Sequence, residues 1–385
     1  MKFETYVSST KNYDMEEVCA ELLERIRVAA SGTANQNIQF DVLKNAVDKS
    51  KGTCYSSRYG LSNDILFADS ELISAFEANE YCVEYLQYRY DFKYYPIKYK
   101  LKSFPLVVAV EAASACNLRC HMCFQSNMDT QIEAQNKGIL SYEIYQKFLN
   151  ELEDHTLYSI VFASRGEPLL NPHIAQMISD AKKCGVLDIK LNTNATLLTE
   201  KLSRKLLESG LDLIVFSVDS ISPENYHSIR GVQLKTVIDN IEGFLRIKRD
   251  EFPNSTMKVR VAMVLTRIME PEADDEIKKA KDFWLERVDE LSVKSEADFV
   301  QVYETQREEV ALNKCRLLWE RLYLWYDGRV NPCDIDHLST LCVGDISHGE
   351  TISSIWNGDK MNLLRQEHLE RREVMNCVCS SCTGY

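Results

Sequence analysis

Three cysteines stand close together in the first half of the chain, at Cys116, Cys120 and Cys123, in the spacing Cys-x3-Cys-x2-Cys. Closely spaced cysteine thiolates are the usual ligands of iron–sulfur clusters, and a [4Fe–4S] cluster held by three of them keeps one iron open for another ligand. The spacing therefore predicts a reactive cluster that binds a further molecule. Two alternatives use the same residues: a zinc site that includes His121, or buried thiols without a metal.

A second group of cysteines lies near the end of the chain. Cys315 is followed by twelve residues, a glycine, four residues and then Cys333, and Cys379 and Cys382 form a Cys-x2-Cys pair. The segment 326–330 contains an Asp-Gly pair, the sequence signal of a hairpin turn that would bring Cys315 and Cys333 together. Four thiolates suit either a tetrahedral zinc ion or an iron–sulfur cluster. The spacing predicts a second metal site.

The residues between the two cysteine groups alternate between short apolar segments and amphipathic ones. The candidate strands are 107–111, 159–163, 189–192, 213–217, 258–264 and 290–293. The candidate helices are 141–154, 172–183, 199–209, 234–249 and 271–286. Strands that alternate with helices indicate a parallel sheet with crossover helices. Six such units are too few for an eight-stranded barrel, in which the chemistry lies at the carboxyl ends of the strands. The first cysteine group directly follows the first strand, which fits that position.

Composition limits the class of protein. The chain has 385 residues, of which 45% are hydrophobic and 27% charged, as in ordinary globular proteins. Its net charge of −13 disfavours a nucleic-acid binder. The N-terminus lacks the apolar core of a signal peptide, and no apolar run approaches the ~20 residues of a membrane span. We therefore expect a cytoplasmic protein without membrane contact. Its 13 cysteines should not form a disulfide framework, and the clustered ones should bind metal.

The segment 163–169, Ala-Ser-Arg-Gly-Glu-Pro-Leu, follows the second predicted strand. With the Cys-x3-Cys-x2-Cys group, it resembles the radical S-adenosylmethionine (radical SAM) superfamily, whose Gly-Gly-Glu-Pro segment binds the SAM amino group. The resemblance implies an α/β fold, a partial (β/α)6 TIM-type barrel that is open on one side. It also implies a [4Fe–4S] cluster whose open iron chelates the methionine moiety of SAM. Reductive cleavage of SAM would give a 5′-deoxyadenosyl radical that abstracts a hydrogen atom.

The resemblance assigns SAM contacts within this segment. Gly166, Glu167 and Pro168 match the family pattern, in which a glycine lets the backbone come close and a carboxylate or carbonyl accepts from an ammonium. Arg165 stands where the family usually has a glycine. Its guanidinium can hold the SAM carboxylate or a substrate anion, or pair with a nearby acid. Outside this context, Gly-Glu-Pro is an ordinary strand-to-helix connection.

Further SAM contacts are expected after the later strands and in the cysteine loop. By resemblance, Asn194 and Ser217 are the favoured candidates, and Asp219 is next. Arg230, in an Ile-Arg-Gly segment, matches an arginine that meets the SAM carboxylate in related enzymes. Met122 stands where many members place an aromatic residue beside the adenine, and its thioether can pack on a ring. For the short polar residues, the alternative is capping of the following helix.

The cysteine spacing of the tail resembles the SPASM/twitch subfamily. A full SPASM module has seven cysteines, whereas this tail has six. In the shorter twitch version, a hairpin pair and a later Cys-x2-Cys hold one auxiliary [4Fe–4S] cluster. The matching residues are Cys315, Cys333, Cys379 and Cys382. Zinc is the alternative for the same four thiolates.

Three further residues of the tail are candidates for catalysis. Cys342 and Cys377 are left over from the pattern, and each can replace a ligand, rest as a buried thiol or donate a hydrogen atom to a substrate radical. His337, with Asp334 and Asp336 nearby, is a candidate base for the hydroxyl proton of a substrate radical. A solvated turn is the alternative for these last three residues.

These features predict an oxidoreductase acting on a carbohydrate, aminocyclitol or polyol. In the implied chemistry, the radical removes the carbinol hydrogen, a base takes the hydroxyl proton and the auxiliary cluster accepts one electron, so a ketone results. Core motif and tail spacing resemble the twitch-bearing aminocyclitol dehydrogenases of the 2-deoxy-scyllo-inosamine type. Three alternatives share the motifs: a peptide-modifying maturase, a redox-neutral epimerase or dehydratase, and a zinc-stabilised binding protein that is no enzyme.

The chain is expected to contain three regions. Residues 1–103 form a mostly helical region without an assigned role, 104–300 the radical SAM core and 301–385 the SPASM/twitch domain. A small-molecule substrate is favoured over a peptide, because residues 1–100 look more helical than the winged-helix domain of peptide-modifying enzymes. The predicted electron donor is a flavodoxin or ferredoxin-type protein.

Overall fold

The computed structural model describes residues 4–8, 14–32, 38–50, 69–78, 81–126, 137–296, 303, 314–370 and 377–382. The chain divides into two compact units. One is Thr10–Lys102, and the other is Met1–Ser9 together with Ser103–Tyr385.

The Thr10–Lys102 unit contains four described helices. They are α1 (Met15–Ser31), α2 (Phe40–Ser50), α3 (Asp69–Glu77) and α4 (Cys82–Ile97). Asp14 caps α1, because its carboxylate accepts from the backbone N–H of Glu16 at 2.9 Å. Each helix contributes one fully buried leucine to a shared core, namely Leu22, Leu43, Leu72 and Leu86. The expected helical N-terminal region is confirmed.

The other unit is organised around one ten-stranded sheet. Its strands are β1 (Glu4–Ser8), β2 (Val107–Val110), β3 (Ser159–Phe162), β4 (Asp188–Thr193), β5 (Leu213–Ser217), β6 (Lys258–Leu265), β7 (Glu290–Ser295), β8 (Arg321–Leu324), β9 (Arg329–Asn331) and β10 (Gly344–Asp345). Their order in space is β1-β7-β6-β5-β4-β3-β2-β8-β9-β10. Strands β2 to β7 pair in parallel with their neighbours in sequence order. The expected partial barrel, open rather than closed, is confirmed.

Helices accompany the strands of this sheet. The described ones are α5 (Tyr142–Asn150), α6 (Ile174–Lys183), α7 (Glu200–Glu208), α8 (Pro223–Arg230), α9 (Leu234–Glu251), α10 (Ala273–Trp284), α11 (Ile352–Asn357), α12 (Asp359–Glu370) and α13 (Cys377–Ser381). Phe216 of β5 packs edge-on against Phe244 of α9, with the ring centroids 5.5 Å apart. Burial alternates along β4 and β6, so every second side chain faces the helices and the others face the inside of the barrel.

The six strands predicted for the core are β2 to β7, and their ends lie within two residues of the predicted ones. Helix α8 was not predicted. It has only eight residues, so its apolar periodicity is weak, but its terminal signals were present in the sequence. The Ser222 hydroxyl caps it, a proline follows, and Gly231 ends it in the left-handed conformation with φ 73°.

Two strand pairings could not be read from the sequence. β1 pairs antiparallel with β7 at the edge of the sheet, with Glu4 opposite Lys294. β8 pairs in parallel with β2, so the tail continues the sheet of the barrel. Both pairings join segments far apart in the chain, and local sequence patterns carry no register information between such segments.

The predicted hairpin of the tail is confirmed. β8 and β9 pair antiparallel, with Leu324 opposite Val330. Gly328 lies in the turn with φ 96°, and a Cβ there would come within 2.8 Å of the Ser347 side chain. Only glycine meets both constraints.

Within the part of the chain that the structure describes, every helix is too short or too polar to span a lipid bilayer.

Glu151 of the barrel caps a helix of the tail. Its carboxylate accepts from the backbone N–H of Ile352 at 2.8 Å and of Ser353 at 3.0 Å, at the start of α11. We predict that Glu151→Ala lowers the free energy of unfolding by about 1–2 kcal/mol, because two backbone donors lose their acceptor. Urea unfolding followed by circular dichroism measures the change.

The matched control is Glu153→Ala, which removes an exposed carboxylate two residues away. We expect it to change the free energy of unfolding by less than about 0.5 kcal/mol. Equal effects of the two substitutions would contradict the capping role of Glu151.

Candidate active site at the carboxyl ends of the strands

The first cysteine group lies in the loop after β2, at the carboxyl end of the parallel strands. The backbone N–H of Leu118 points at the Cys116 sulfur at 3.5 Å, and the N–H of Cys123 donates to the carbonyl of Cys120 at 3.0 Å. His121 N–H donates to the carbonyl of Ile229 in α8 at 2.8 Å. The loop is thus folded on itself and fastened to a neighbouring crossover.

The three thiols lie within electrostatic reach of one another. Burial raises the pKa of Cys116 and Cys123, and it raises the pKa of Cys120 to about 11. Neighbouring cysteines add to the shift for Cys116 and Cys120, whereas Arg230 opposes it for Cys120. Without metal these thiols stay protonated at neutral pH, so a bound cluster would have to displace their protons.

An orphaned hydroxyl beside these thiols also fits a bound group. Tyr226 of α8 is fully buried, and its hydroxyl has no hydrogen-bond partner among the described residues. Burial raises its pKa to about 12, and Arg230, Asp219 and Cys120 are the charged groups that act on it. No three His, Cys, Asp or Glu side chains within the described ranges are grouped closely enough for a single metal ion.

The segment after β3 packs directly on the cysteine loop. A Cβ at Gly166 would overlap the carbonyl oxygens of Ala113 and Ala115, and the N–H of Glu167 donates to the Ala115 carbonyl at 2.9 Å. Only glycine allows this approach. Pro168 begins a short 3₁₀ turn and is buried.

The Glu167 carboxylate points away from the cysteine loop. It accepts from the Thr193 hydroxyl at 2.7 Å, the Asn194 N–H at 2.8 Å and the Leu169 N–H at 3.0 Å. Burial raises its pKa, and these donors oppose the rise. Glu167 therefore holds the end of β4 and its own turn in place.

Ser164 is a residue that the sequence analysis missed. Its φ is 104°, a conformation that residues other than glycine rarely adopt, and its buried hydroxyl has no partner among the described residues. Such strain persists only where the surroundings enforce it, and it is common at functional sites. The sequence signal that could have pointed to Ser164 is its position directly before Arg-Gly-Glu-Pro.

Arg165 pairs with an acid, which is one of the alternatives that its sequence position left open. Its Nε and Nη2 donate to the two carboxylate oxygens of Glu111, each at 2.6 Å, and its Nη1 donates to the carbonyl of His337 at 3.0 Å. Its guanidinium carbon lies 3.2 Å from the ring centroid of Trp325. Both charged side chains are buried. Arg165 thereby joins the barrel to the tail.

Asn194 belongs to a polar network at the end of β4. Its amide donates to Asn117 at 3.0 Å, and its oxygen accepts from the Thr196 hydroxyl at 2.6 Å. Ser217 ends β5, and no hydrogen bond of its hydroxyl is found within the described part of the chain. Met122 lies half-buried in the cysteine loop. These residues lie at the carboxyl end of the strands, as predicted.

Arg230 and Asp219 form a second buried pair. Arg230 Nε donates to Asp219 at 2.6 Å, and the other oxygen of Asp219 accepts from the Val264 N–H at 3.0 Å. Burial alone would lower the pKa of Arg230, but Asp219 holds it above its usual value. The two terminal nitrogens of Arg230 have no acceptor in the described ranges, so they can bind an anion next to Cys120.

The four predicted cysteines of the tail act on one another electrostatically in pairs. Burial raises the pKa of Cys315 to about 11, with Cys382 adding to the shift. The pKa of Cys333 is raised by burial, and then by Asp334, Cys315 and Cys379. The hairpin cysteines and the later Cys-x2-Cys pair therefore lie in the same region of the tail, although they are not grouped around a single point.

The two leftover cysteines differ in what the structure shows. The Cys342 thiol donates to the carbonyl of Gly344 at 3.2 Å. The side chain of Cys377 lies outside the described residues.

His337 is buried, and the alternative of a solvated turn is wrong for it. Its ring stacks on Phe124 with the centroids 4.4 Å apart, and it meets Tyr303 edge-on at 4.9 Å. Burial lowers its pKa to about 4, so the ring is neutral. Its Nδ1 lies 3.3 Å from the Ile335 carbonyl, which favours the proton on Nδ1 and leaves Nε2 as an acceptor.

Asp336 is fully buried as well, and its oxygens are occupied. They accept from the Tyr303 hydroxyl at 2.9 Å, from the N–H and hydroxyl of Thr340 at 3.0 and 2.8 Å, and from the Leu341 N–H at 2.6 Å. Asp336 therefore shapes the segment that carries His337 and is not a free base.

Comparison with known families agrees with this geometry. The Radical SAM superfamily model matches residues 110–283, and the SPASM iron–sulfur cluster-binding domain model matches residues 315–383. Both matched ranges contain the cysteine groups described above.

Curated relatives share the core. The chain is 29% identical over 160 residues to the tungsten-containing aldehyde ferredoxin oxidoreductase cofactor-modifying protein of Pyrococcus furiosus, covering 41% of this chain and 43% of that protein. It is 27% identical over 294 residues to a probable GTP 3′,8-cyclase of Methanococcus aeolicus, covering 67% of this chain and 92% of that one. The match thus spans less than half of the Pyrococcus protein.

Solved structures show a similar fold. Native anSMEcpe with bound AdoMet has a TM-score of 0.52 at 18% identity, covering 72% of this chain and 88% of that chain. BtrN in complex with AdoMet and 2-DOIA has a TM-score of 0.49 at 19% identity, covering 74% of this chain and 94% of that chain. At 18% identity, the likeness to anSMEcpe concerns the fold alone.

The cofactors that these two domains bind are [4Fe–4S] clusters and SAM, which fits the predicted cofactors. On these matches, the chain contains a radical SAM domain over residues 110–283 and a C-terminal SPASM iron–sulfur cluster-binding domain over residues 315–383.

Proposed function

We propose that this chain is a radical SAM oxidoreductase that dehydrogenates a small hydroxylated substrate, such as a sugar, an aminocyclitol or a polyol. The observation that carries the proposal is the stacking of Phe124 on His337 at 4.4 Å. Phe124 directly follows Cys123, and His337 lies four residues after Cys333. The contact supports one reaction space bordered by both cysteine groups.

Cys116, Cys120 and Cys123 would hold the first cluster. With SAM bound, this cluster supplies the 5′-deoxyadenosyl radical that abstracts a hydrogen atom. Gly166 keeps the segment after β3 close to the cysteine loop. The free terminal nitrogens of Arg230 are placed to hold the SAM carboxylate, while Asp219 fixes its Nε. Arg165 is not assigned to SAM, because its Nε, Nη1 and Nη2 already have acceptors.

Cys315, Cys333, Cys379 and Cys382 would hold the auxiliary cluster, which supplies an acceptor for one electron. His337 would supply the base. A carbinol that has lost its hydrogen atom has a much more acidic hydroxyl, so a neutral imidazole with a low pKa suffices as acceptor. The balance is one hydrogen atom to the deoxyadenosyl group, one proton to His337 Nε2 and one electron to the auxiliary cluster, which leaves a ketone.

The identity of the substrate and of the electron donor is part of this proposal. The names of the two relatives concern cofactor modification and cyclisation of GTP, and neither names an alcohol oxidation. A small-molecule substrate and a flavodoxin or ferredoxin-type donor are the partners that we assign. A peptide substrate, or a redox-neutral reaction in which Cys342 or Cys377 returns a hydrogen atom, would be recognised by its products.

The first prediction concerns the cysteine loop. Reconstituted under anaerobic conditions with SAM and dithionite, the protein should contain about eight irons per chain and form 5′-deoxyadenosine. Cys120→Ala should form none. Cys184→Ala, which removes an exposed thiol at the end of α6, is the control and should behave as the wild type. A colourless zinc protein, or full activity of Cys120→Ala, would overturn the assignment.

The second prediction concerns the reaction. A panel of aminocyclitols and sugars deuterated at the carbinol carbons is incubated with the enzyme and SAM. We expect deuterium in 5′-deoxyadenosine and a ketone product by mass spectrometry. Cys333→Ala should still form 5′-deoxyadenosine but no ketone. Turnover only with a peptide, or a product of unchanged oxidation level, would count against the dehydrogenase proposal.

The third prediction follows from the neutral state of His337. Its pKa is about 4 in the folded chain and 6.5 when unperturbed, so the unfolded state binds the proton first as the pH falls. This group therefore contributes stability above about pH 6.5 that is lost towards pH 4. His337→Phe should reduce the loss measured by urea unfolding between these pH values. His227→Phe, at an exposed position of α8, should not change it.

A further inference from the structure

The inner face of the barrel carries cations on four different strands. On β4, Ile189 and Leu191 are buried towards the helices, so Lys190 between them faces inward. The register then places other side chains on the same face. Asn192 of β4 is opposite Val215 of β5, which is in turn opposite Arg260 of β6. Asn192 is two residues after Lys190 and shares its face of the sheet. Arg260, and Glu290 opposite it on β7, therefore lie on that face as well.

The two remaining cations follow by the same alternation. Lys294 lies four residues after Glu290 on β7 and therefore shares its inward face. Arg321 is the first residue of β8 and lies in the row of Val107, Ser159 and Asp188. Asp188 is two residues before Lys190, so this row also faces inward.

The electrostatics of Lys190 confirm this convergence. Burial lowers its pKa to about 8, and Arg260, Lys294 and Arg321 each lower it further, while Asp188 opposes them. These groups could not act on one ammonium unless they faced a common space.

The arginines of this group are already neutralised, and Lys190 is not. Arg260 Nε donates to Glu290 at 2.6 Å, and Arg321 Nε donates to Glu320 at 2.6 Å. The ammonium of Lys190 has no ion pair and no hydrogen-bond acceptor among the residues that the structure describes. The side chain is half-buried, and its ammonium keeps contact with solvent. Without an acidic partner among the described residues, this ammonium is available to an anion.

We propose that the inner face of the barrel around Lys190, flanked by Arg260, Lys294 and Arg321, binds an anionic group of the ligand, a phosphate or a carboxylate. A compact ammonium on a flexible stem suits either anion as a point charge. The inference deepens the proposed function, on which it rests for taking this ligand to be the substrate. It assigns the substrate a hydroxylated part at the carboxyl end of the strands and an anionic part deeper in the barrel.

The test measures anion binding by the reconstituted holoprotein at low ionic strength. Isothermal titration with pyrophosphate, and separately with citrate, should show binding at one site by at least one of them. Lys190→Met should weaken that binding by about tenfold or more. Lys205→Met removes an exposed ammonium on α7 and should leave the affinity unchanged. Stronger binding of pyrophosphate identifies a phosphate site, and stronger binding of citrate a carboxylate site.

Three results would overturn the inference: no saturable binding of either anion up to about 10 mM, equal affinities of the wild type and Lys190→Met, or an equal loss in Lys205→Met. Circular dichroism shows whether Lys190→Met is folded. If it is not, Lys190→Arg replaces it and should retain binding. Cys120→Ala separates this inference from the proposed function, because it should lose 5′-deoxyadenosine formation and keep Lys190-dependent anion binding.

Discussion

A buried ion pair between Glu111 and Arg165 connects the parts of the molecule that carry its chemistry. Glu111 directly follows β2, and Arg165 follows β3. The carboxylate also accepts from the N–H of Tyr326 in the tail hairpin at 3.1 Å, and the guanidinium reaches the carbonyl of His337. A buried charge is strongly unfavourable when its partner or its hydrogen bonds are missing. Both strand ends and the tail must therefore take up one mutual arrangement before either charge is satisfied.

This arrangement gives the candidate site its shape. Gln125, next to Phe124, donates to the backbone carbonyl of Arg165 and to that of Ser114, so the end of the cysteine loop is held by the same residue that holds the tail. The side chain of Arg165 holds His337, and its backbone carbonyl holds the residue next to Phe124. Arg165 thus brings His337 and Phe124 into contact. The shared sheet adds a second connection, because β8 pairs with β2 along its full length. The tail is built as part of the barrel.

Two cations of the barrel keep nitrogen atoms without an acceptor in the described ranges, one at the carboxyl end of the strands and one deeper inside. At the carboxyl end, the buried side chains of Arg165 and Arg230 each bind a carboxylate. Of these two arginines, Arg230 keeps its terminal nitrogens without an acceptor in the described ranges. Deeper inside, Lys190 lies among cations that have their own acids. An anion that entered from the carboxyl end would meet Arg230 beside the cysteine loop and Lys190 further down. Because most charges in the barrel have a partner of opposite sign, an anion would be attracted mainly to the cations that have none.

The sequence by itself determined the local structure and the class of chemistry. Cysteine spacing, strand and helix periodicity, the Asp-Gly hairpin turn and the Gly166 segment are all short-range patterns, and strands β2 to β7 followed from them within two residues. Only the tertiary structure decided the rest. The parallel pairing of β8 with β2, the Glu111–Arg165 pair, the burial of His337 and the cations around Lys190 join residues that are distant in the chain. They depend on strand register and on which side chains lose water together, and no local pattern specifies either.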